Sequence, residues 1–120
     1  MIGRHLILEH LGGSHLTDAP AMEAAMRAAA RAGGATVLSA HLHPFAGGGL
    51  TGVLLLAESH VTVHTWPERD YAAFDLFMCG AADPEAAADA LDAALAPAAT
   101  HRQLIRRVPP QRNQASQPAS

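Results

Sequence analysis

Four short strand-like segments follow one another through the middle of the chain, and this succession constrains the fold more than any other feature. They cover residues 36–43, 50–57, 61–66 and 71–78. Glycine, proline or polar residues separate them, as is typical of strands joined by turns. A fifth predicted strand opens the chain at residues 3–9, and a sixth follows at residues 100–108. Strands with such short connections pair as antiparallel neighbours, so the pattern predicts one mostly antiparallel sheet.

Two alanine-rich helices are predicted, one on each side of the four central strands. Thr17 or Asp18 can cap the first helix, which runs to Arg31 and carries Pro20 in its first turn. Asp83 can cap the second helix, which begins with a proline. The element order β-α-β-β-β-β-α-β predicts an α+β fold of two layers, with both helices on one face of the sheet.

The opposite face of this sheet needs a cover of its own. Residues 50–57 are apolar on both sides, which predicts a central strand that is buried from both faces. A chain of 120 residues builds one core, so the second cover is most simply another copy of the chain. We expect a single domain at residues 1–108 and a disordered tail at residues 109–120, which are rich in Pro, Gln, Ser and Asn.

Charge and composition exclude several classes of partner. The net charge is −3 and no basic stripe is present, so we expect no nucleic-acid partner. The longest strongly apolar run, residues 53–57, is too short to cross a membrane, and the first residues lack the pattern of a signal peptide. The single cysteine, Cys79, excludes an internal disulfide and suits a reducing compartment. We therefore expect a soluble cytoplasmic protein.

The chemistry is concentrated in residues 58–68, which read ESHVTVHTWPE, and in Cys79, twenty residues after Ser59. A serine hydroxyl can attack the carbonyl that precedes it, and proximity alone can supply roughly 7–11 kcal/mol of the barrier. The product is an ester in place of the amide between Glu58 and Ser59. Loss of the serine α-proton then cleaves the ester, and this step needs a base near neutral pH, which histidine provides.

This segment resembles the self-cleavage and active-site region of the prokaryotic S-adenosylmethionine decarboxylases, a family of pyruvoyl-dependent proenzymes. The resemblance covers nearly the whole ordered chain. It extends through residues 3–7, residues 34–37, His43, Phe45, residues 71–73 and Cys79-Gly80. It implies the fold of that family and a homodimer of processed αβ protomers whose sites use both subunits, with no metal requirement.

The resemblance also implies how the chain obtains its cofactor. The chain would cut itself between Glu58 and Ser59, giving a β chain of residues 1–58 and an α chain of residues 59–120. Ser59 would become a pyruvoyl group, which forms a Schiff base with the substrate amine and accepts electrons as CO2 leaves. The implied substrate is S-adenosylmethionine, and its decarboxylated product donates aminopropyl groups for spermidine and other polyamines.

Further site residues follow from the resemblance position by position. His64 is implied as the base in processing, and Thr51 is implied to support the cut where relatives usually carry serine. Cys79 is implied as the acid that reprotonates the substrate. A free cysteine thiol is protonated at neutral pH and can donate a proton. The implied substrate contacts are Phe45 for the adenine, Trp66 for the pocket wall and Glu68 for the ribose hydroxyls.

Departures from the family pattern leave alternatives open. Met78 stands where relatives carry threonine, and residues 47–49 are three glycines in place of a loop that holds a proline. Both changes are expected around the substrate pocket. The alternatives are a decarboxylase of ornithine or arginine, whose distal cation Glu68 or Asp70 would bind, and a non-cleaving regulatory paralogue.

The remaining candidates have structural interpretations. Three histidines are expected on the surface: His5, His10 and His15. Two phenylalanines are expected in the core: Phe74 and Phe77. Two pairs of alternate strand residues could ligate a metal: His41 with His43, and His60 with His64. Since no acid or cysteine accompanies them at a fixed spacing, no metal site is predicted.

Overall fold

Six strands form one sheet in the computed structural model, which describes residues 2–112 of the chain. The strands are β1 (Gly3–Leu11), β2 (Val37–Pro44), β3 (Leu50–Leu56), β4 (Ser59–Trp66), β5 (Tyr71–Cys79) and β6 (Ala99–Arg107). Their order across the sheet is β2-β3-β4-β5-β1-β6, and the neighbouring strands run antiparallel. The predicted antiparallel sheet is confirmed. Its first strand lies between β5 and β6, far from its neighbours in sequence.

Two helices, α1 (Ala19–Ala32) and α2 (Pro84–Leu95), cover one face of the sheet. Asp18 and Asp83 each accept a hydrogen bond from a backbone N–H in the first turn. Such caps satisfy donors that the start of a helix leaves unpaired. Asp18, rather than Thr17, therefore caps α1. The predicted two-layer α+β architecture is confirmed.

The core lies between the sheet and the helices. Alternate strand residues point to opposite faces, and the buried set comes from the face toward the helices. It includes Leu6, Leu8, Leu54, Val61, Val63, Phe74, Leu76 and Met78 from the strands, and Met22, Met26, Leu91 and Leu95 from the helices. The prediction for Phe74 is confirmed. The prediction that Met78 borders the substrate pocket is wrong, because Met78 is fully buried on the helix side, next to Gly33.

The other face, which we call the open face, is not covered by any helix within residues 2–112. Leu55 and Trp66 lie on it with 50% and 40% of their surface exposed. Phe77, which was predicted in the core, is only half-buried. It points to the open face together with Cys79, whereas Phe74 points to the helices. Strand β3 is therefore buried from one side only within the protomer, and the predicted cover of its other side by a second copy of the chain stays a prediction.

The strands of the open face have different residues at their two ends. At one end, Cys79 lies opposite Gly3, and Gly3 lies opposite Arg107. We call this the cysteine end. At the other end, Trp66 lies opposite Tyr71, and we call it the tryptophan end.

Neither helix within the described part of the chain combines the length and the apolar character that a membrane span needs.

Of the predicted tail, residues 113–120 lie outside the described residues. Pro109 and Pro110 line a hollow with Phe77 and Arg107. The boundary of the domain at residue 108 stays a prediction.

His10, which was predicted on the surface, is buried with 1% of its surface exposed. It lies on the helix face of β1, where its Nε2 is 2.7 Å from Oδ1 of Asp92 in α2. Arg102 donates to Asp92 from the other side. Burial lowers the pKa of His10 against the opposing effect of Asp92. The imidazole therefore ties β1 to α2 in its neutral form.

We expect the stability of the protein to fall on mild acidification because of His10. The unfolded imidazole takes up a proton near pH 6.5, whereas the buried one resists it, so the free energy of unfolding decreases as the pH drops below that value. By about pH 5.5 the loss from this group reaches up to about 1 kcal/mol. Chemical denaturation at neutral and mildly acidic pH, at one protein concentration, measures it. The variant His10→Gln should lack this part of the pH dependence, and an unchanged dependence would contradict the assignment.

Candidate active site

The turn between β3 and β4 holds the predicted cleavage site in an unusual backbone conformation. Leu56 pairs with Ser59, so Ala57 and Glu58 form a two-residue turn. The φ angle of Glu58 is 69°, in the left-handed region that side chains other than glycine rarely occupy. This conformation costs on the order of 1–2 kcal/mol for such a residue. The strain therefore lies on the residue that supplies the carbonyl of the Glu58–Ser59 amide.

Cys79 lies against this same amide. Its Sγ donates a hydrogen bond to the carbonyl oxygen of Glu58 over 3.1 Å. The two residues are 21 positions apart in the sequence and meet because β4 and β5 are antiparallel neighbours. Three of the predicted residues, Glu58, Ser59 and Cys79, are thus together at the cysteine end.

An aromatic ring borders this group on the open face. The ring centroid of Phe77 is 5.6 Å from that of His60 and 6.2 Å from that of His5. The guanidinium carbon of Arg107 lies 5.8 Å from the Phe77 centroid. A Cβ atom on Gly3 would lie 2.6 Å from a carbon of this ring. Glycine at position 3 therefore leaves the space that the ring occupies.

Sequence reasoning missed a second polar group on the open face. His5 was expected on the surface, but its Nε2 lies 2.8 Å from Oδ1 of Asp75, and Thr62 donates to the other oxygen of Asp75 over 3.4 Å. These residues come from three neighbouring strands. In each strand these polar residues alternate with core residues, which indicates that their side chains point away from the core. The alternation does not show which strands are neighbours.

The other predicted residues line a cavity of about 270 Å³ at the tryptophan end. It brings together Phe45, Thr51, His64, Trp66 and Glu68. Oγ1 of Thr51 is 3.1 Å from Nδ1 of His64, and the rings of His64 and Trp66 are 6.1 Å apart. Phe45 lies in the turn between β2 and β3 and is 54% exposed. The cavity therefore offers two aromatic faces, an imidazole and a carboxylate to a ligand.

Behind this cavity, Trp66 is held by a neighbour that the sequence did not single out. Trp66 stacks on Tyr71 with a centroid distance of 5.2 Å and an interplanar angle of 14°. Tyr71 in turn donates its hydroxyl to Oε1 of Glu9 over 2.5 Å. This hydrogen bond is the main cause that raises the pKa of Tyr71 to about 12. The wall of the cavity is thus connected to β1 through one hydrogen bond.

The two groups of predicted residues are far apart within one protomer. Ser59 is the first residue of β4, and Trp66 is its last. His64 lies five residues beyond Ser59 in this extended strand, which corresponds to about 16 Å. A side chain cannot bridge that distance. Within a single copy of the chain, His64 and Thr51 therefore do not reach Ser59.

The histidine pairs that were considered as metal ligands lie on β2 and β4. His41 and His43 are exposed on β2, and His64 is exposed on β4. Within residues 2–112, no set of three or more His, Cys, Asp or Glu side chains is arranged to hold a metal ion.

Comparison with known proteins identifies clear relatives. A sequence model described as S-adenosylmethionine decarboxylase matches residues 4–108. The S-adenosylmethionine decarboxylase proenzyme of Methanococcus vannielii is 47% identical over 81 residues, which cover 66% of each chain. That of Prochlorococcus marinus is 46% identical over 82 residues, covering 67% of this chain and 66% of the relative. The matched region thus spans about two thirds of the length of these relatives.

A solved structure has the same fold. The adenosylmethionine decarboxylase from Aquifex aeolicus VF5 superposes with a TM-score of 0.81 at 28% sequence identity, covering 92% of this chain and 94% of that one. The predicted fold of the family is therefore confirmed.

Proposed function

Because the chain belongs to the S-adenosylmethionine decarboxylase family, we propose that it cleaves itself before Ser59 and then decarboxylates S-adenosylmethionine. The product is the aminopropyl donor for polyamine synthesis. The observation that carries this proposal is the hydrogen bond from the Cys79 thiol to the Glu58 carbonyl oxygen. The thiol thereby directs its hydrogen at the carbonyl oxygen of the amide that Ser59 must attack. The free thiol suits the cytoplasm, where we propose that the reaction takes place.

Cleavage begins when Oγ of Ser59 attacks the carbonyl carbon of Glu58. The C–N bond of the amide breaks, an ester bond forms, and the serine nitrogen becomes a free amine. Negative charge develops on the Glu58 oxygen during the attack, and a donor aimed at such an oxygen lowers the barrier. Cys79 supplies that donor, and the left-handed backbone of Glu58 raises the energy of the amide before it breaks.

A base must then remove the α-proton of Ser59. This elimination releases the carboxylate of Glu58 and leaves a dehydroalanine, which takes up water and loses ammonia to become the pyruvoyl group. His64 is the candidate base, with Thr51 hydrogen-bonded to its Nδ1. Since His64 lies about 16 Å along the strand from Ser59, we propose that it acts on the Ser59 of a partner subunit.

A homodimer explains how one site can use both ends of the sheet. Two open faces stack in this arrangement, related by a twofold axis that crosses the strands near their middle. The cysteine end of each protomer then lies over the tryptophan end of its partner. The interface is isologous, so it forms two identical composite sites. Exposed apolar side chains on the open face, among them Leu55, Trp66 and Ile105, become buried.

The residues at the tryptophan end suit the substrate. The exposed ring of Phe45 can stack on the adenine, and the carboxylate of Glu68 can accept hydrogen bonds from the ribose hydroxyls. The sulfonium of S-adenosylmethionine carries a positive charge, which the face of Trp66 attracts by roughly 0.5–2 kcal/mol. A free amino acid lacks the adenine: ornithine would leave the Phe45 ring without a planar partner, and arginine would offer it only one guanidinium.

The cysteine end suits the pyruvoyl group. When formed at Ser59, that group supplies a ketone that condenses with the substrate amine and accepts the electron pair released with CO2. Cys79 is half-buried beside this position and would return a proton to the substrate α-carbon. Phe77 lines the same side and excludes water from the site.

Mixing two inactive variants tests the composite site. We expect Ser59→Ala and His64→Ala to be inactive when each is expressed alone. In a mixed dimer, the intact Ser59 of one chain meets the intact His64 of the other. Co-expression should therefore restore cleavage of the His64→Ala chain and give about a quarter of the full activity for randomly assorted dimers. CO2 release from S-adenosylmethionine measures it.

The outcomes separate the alternatives. No recovery on mixing would mean that His64 acts within its own chain or not at all. Release of CO2 from ornithine or arginine, but not from S-adenosylmethionine, would support the amino-acid decarboxylase instead. An unsubstituted chain that stays uncleaved on a denaturing gel after long incubation would support the non-cleaving paralogue.

A further inference from the structure

The open face carries two hollows at opposite ends of β1 and β6. At the cysteine end, a hollow of about 300 Å³ is lined by Ile2, Phe77, Arg107 and Val108, together with two prolines. We call this set the arginine corner. Ile2 and Val108 are each 60% exposed. The corner thus combines exposed apolar surface with one cation.

The second hollow, of about 290 Å³, lies at the tryptophan end of the same two strands. Its lining includes Glu9, Leu11, Tyr71, Ala99 and His101. We call this set the glutamate corner. Leu11 is 51% exposed. This corner combines apolar surface with one carboxylate, so it complements the arginine corner in both character and charge.

Each of the two charges lacks an ionic partner within the described part of the protomer. The ion pairs of residues 2–112 include neither Arg107 nor Glu9. Arg107 lies against the Phe77 ring, and Glu9 accepts only the Tyr71 hydroxyl among the hydrogen bonds found there. A cation and an anion on a face that is to be buried need partners.

The register of the sheet relates the two corners to each other. Arg107 lies opposite Gly3 at one end of β1, and Ala99 lies opposite Leu11 at the other. The proposed twofold axis exchanges the two ends of the sheet while keeping each strand over its own copy. The arginine corner of one protomer therefore meets the glutamate corner of the other.

We propose that each arginine corner docks on the glutamate corner of the partner, with Arg107 paired to the partner's Glu9 and with Ile2 and Val108 packed against the partner's Leu11. This inference rests on the proposed face-to-face dimer. It goes beyond that dimer, because the composite site itself requires contacts only near β4 and β5.

The docking has a consequence for the substrate pocket. Glu9 holds Tyr71, and Tyr71 stacks on Trp66, which lines the pocket. Arg107 of one subunit is thereby connected to the pocket wall of the other through two intervening residues, Glu9 and Tyr71 of that subunit. Arg107 is accordingly a positioning residue, and its loss should raise KM for S-adenosylmethionine more than it lowers kcat.

A charge-reversal cycle tests the pair. The variants Arg107→Glu and Glu9→Arg, and the double variant, are compared in the processed protein by sedimentation over a range of concentrations. Each single reversal should raise the dimer dissociation constant roughly tenfold or more, as for other close interfacial charge pairs, and the double variant should recover most of this loss. Arg106→Glu is the matched control, because Arg106 lies on the helix side of the same strand, and it should leave dimerisation nearly unchanged.

The results distinguish the Arg107–Glu9 pair from the face-to-face dimer on which it rests. A dimer whose dissociation constant responds neither to the single reversals nor to their combination overturns this inference but leaves the composite site standing. A protein that sediments as a monomer at every concentration overturns both. Should a reversal prevent folding, the neutral variants Arg107→Gln and Glu9→Gln complete the same cycle, and additive effects there reject the pair.

Discussion

Replacing Ser59 with alanine is expected to leave the chain in one piece and to abolish decarboxylation. Alanine lacks the oxygen that attacks the Glu58 carbonyl in the proposed reaction, so neither the ester nor the pyruvoyl group could form. The strained turn, the Cys79 hydrogen bond and the substrate cavity do not depend on the serine hydroxyl and should persist. CO2 release from S-adenosylmethionine should fall to background, and a denaturing gel should show a single full-length band.

The control for this prediction is Ser14→Ala, which changes a serine in the loop after β1. This variant should cleave and react like the unsubstituted protein. Residual activity of Ser59→Ala above background would contradict the account, because it would require an electron acceptor that does not come from Ser59. Binding of S-adenosylmethionine by the uncleaved variant would show that the loss concerns chemistry and not folding.

Replacing Cys79 with alanine is expected to affect both reactions, because we propose that the same thiol serves each of them. Loss of a positioned general acid should lower kcat for decarboxylation about 10²- to 10⁴-fold. Loss of the hydrogen bond to the Glu58 carbonyl should also slow cleavage, by roughly tenfold, since a thiol is a weaker donor than those of typical oxyanion sites. Cleavage is timed on a denaturing gel, and decarboxylation is then measured on the fully cleaved material.

Cys79→Ser separates the two roles. A hydroxyl can donate to the Glu58 carbonyl, so cleavage should proceed at close to the original rate. Its far higher pKa makes it a poor proton donor to the substrate, so decarboxylation should remain low. If Cys79→Ala cleaves as fast as the unsubstituted chain, the 3.1 Å hydrogen bond has no part in processing.

The local features of the fold could be predicted from the sequence because they depend on neighbouring residues. Asp83 followed by proline predicted the start of α2, and alternating polarity predicted β4 nearly as it is found. The position of β1 between β5 and β6 could not be predicted in the same way. These contacts join residues at least sixty positions apart, and no local pattern specifies which distant strand becomes a neighbour.

The errors have the same origin. Alternation assigns His10 to a face of β1, but only the packing of α2 against that face buries it and supplies Asp92. Met78 was judged by its position next to Cys79, although adjacent strand residues point in opposite directions. The site residues were chosen individually by resemblance, and their separation into two ends of the sheet became visible only with the register of β4.

Intact mass spectrometry of the purified, unsubstituted protein tests the central claim most directly. We predict two chains, one ending at Glu58 and one beginning with residue 59, the second lighter by one ammonia than a chain that begins with serine. The two masses together should equal that of the full-length chain plus one water minus one ammonia. A single full-length mass after long incubation, or a second chain that begins with an unaltered serine, would contradict the account.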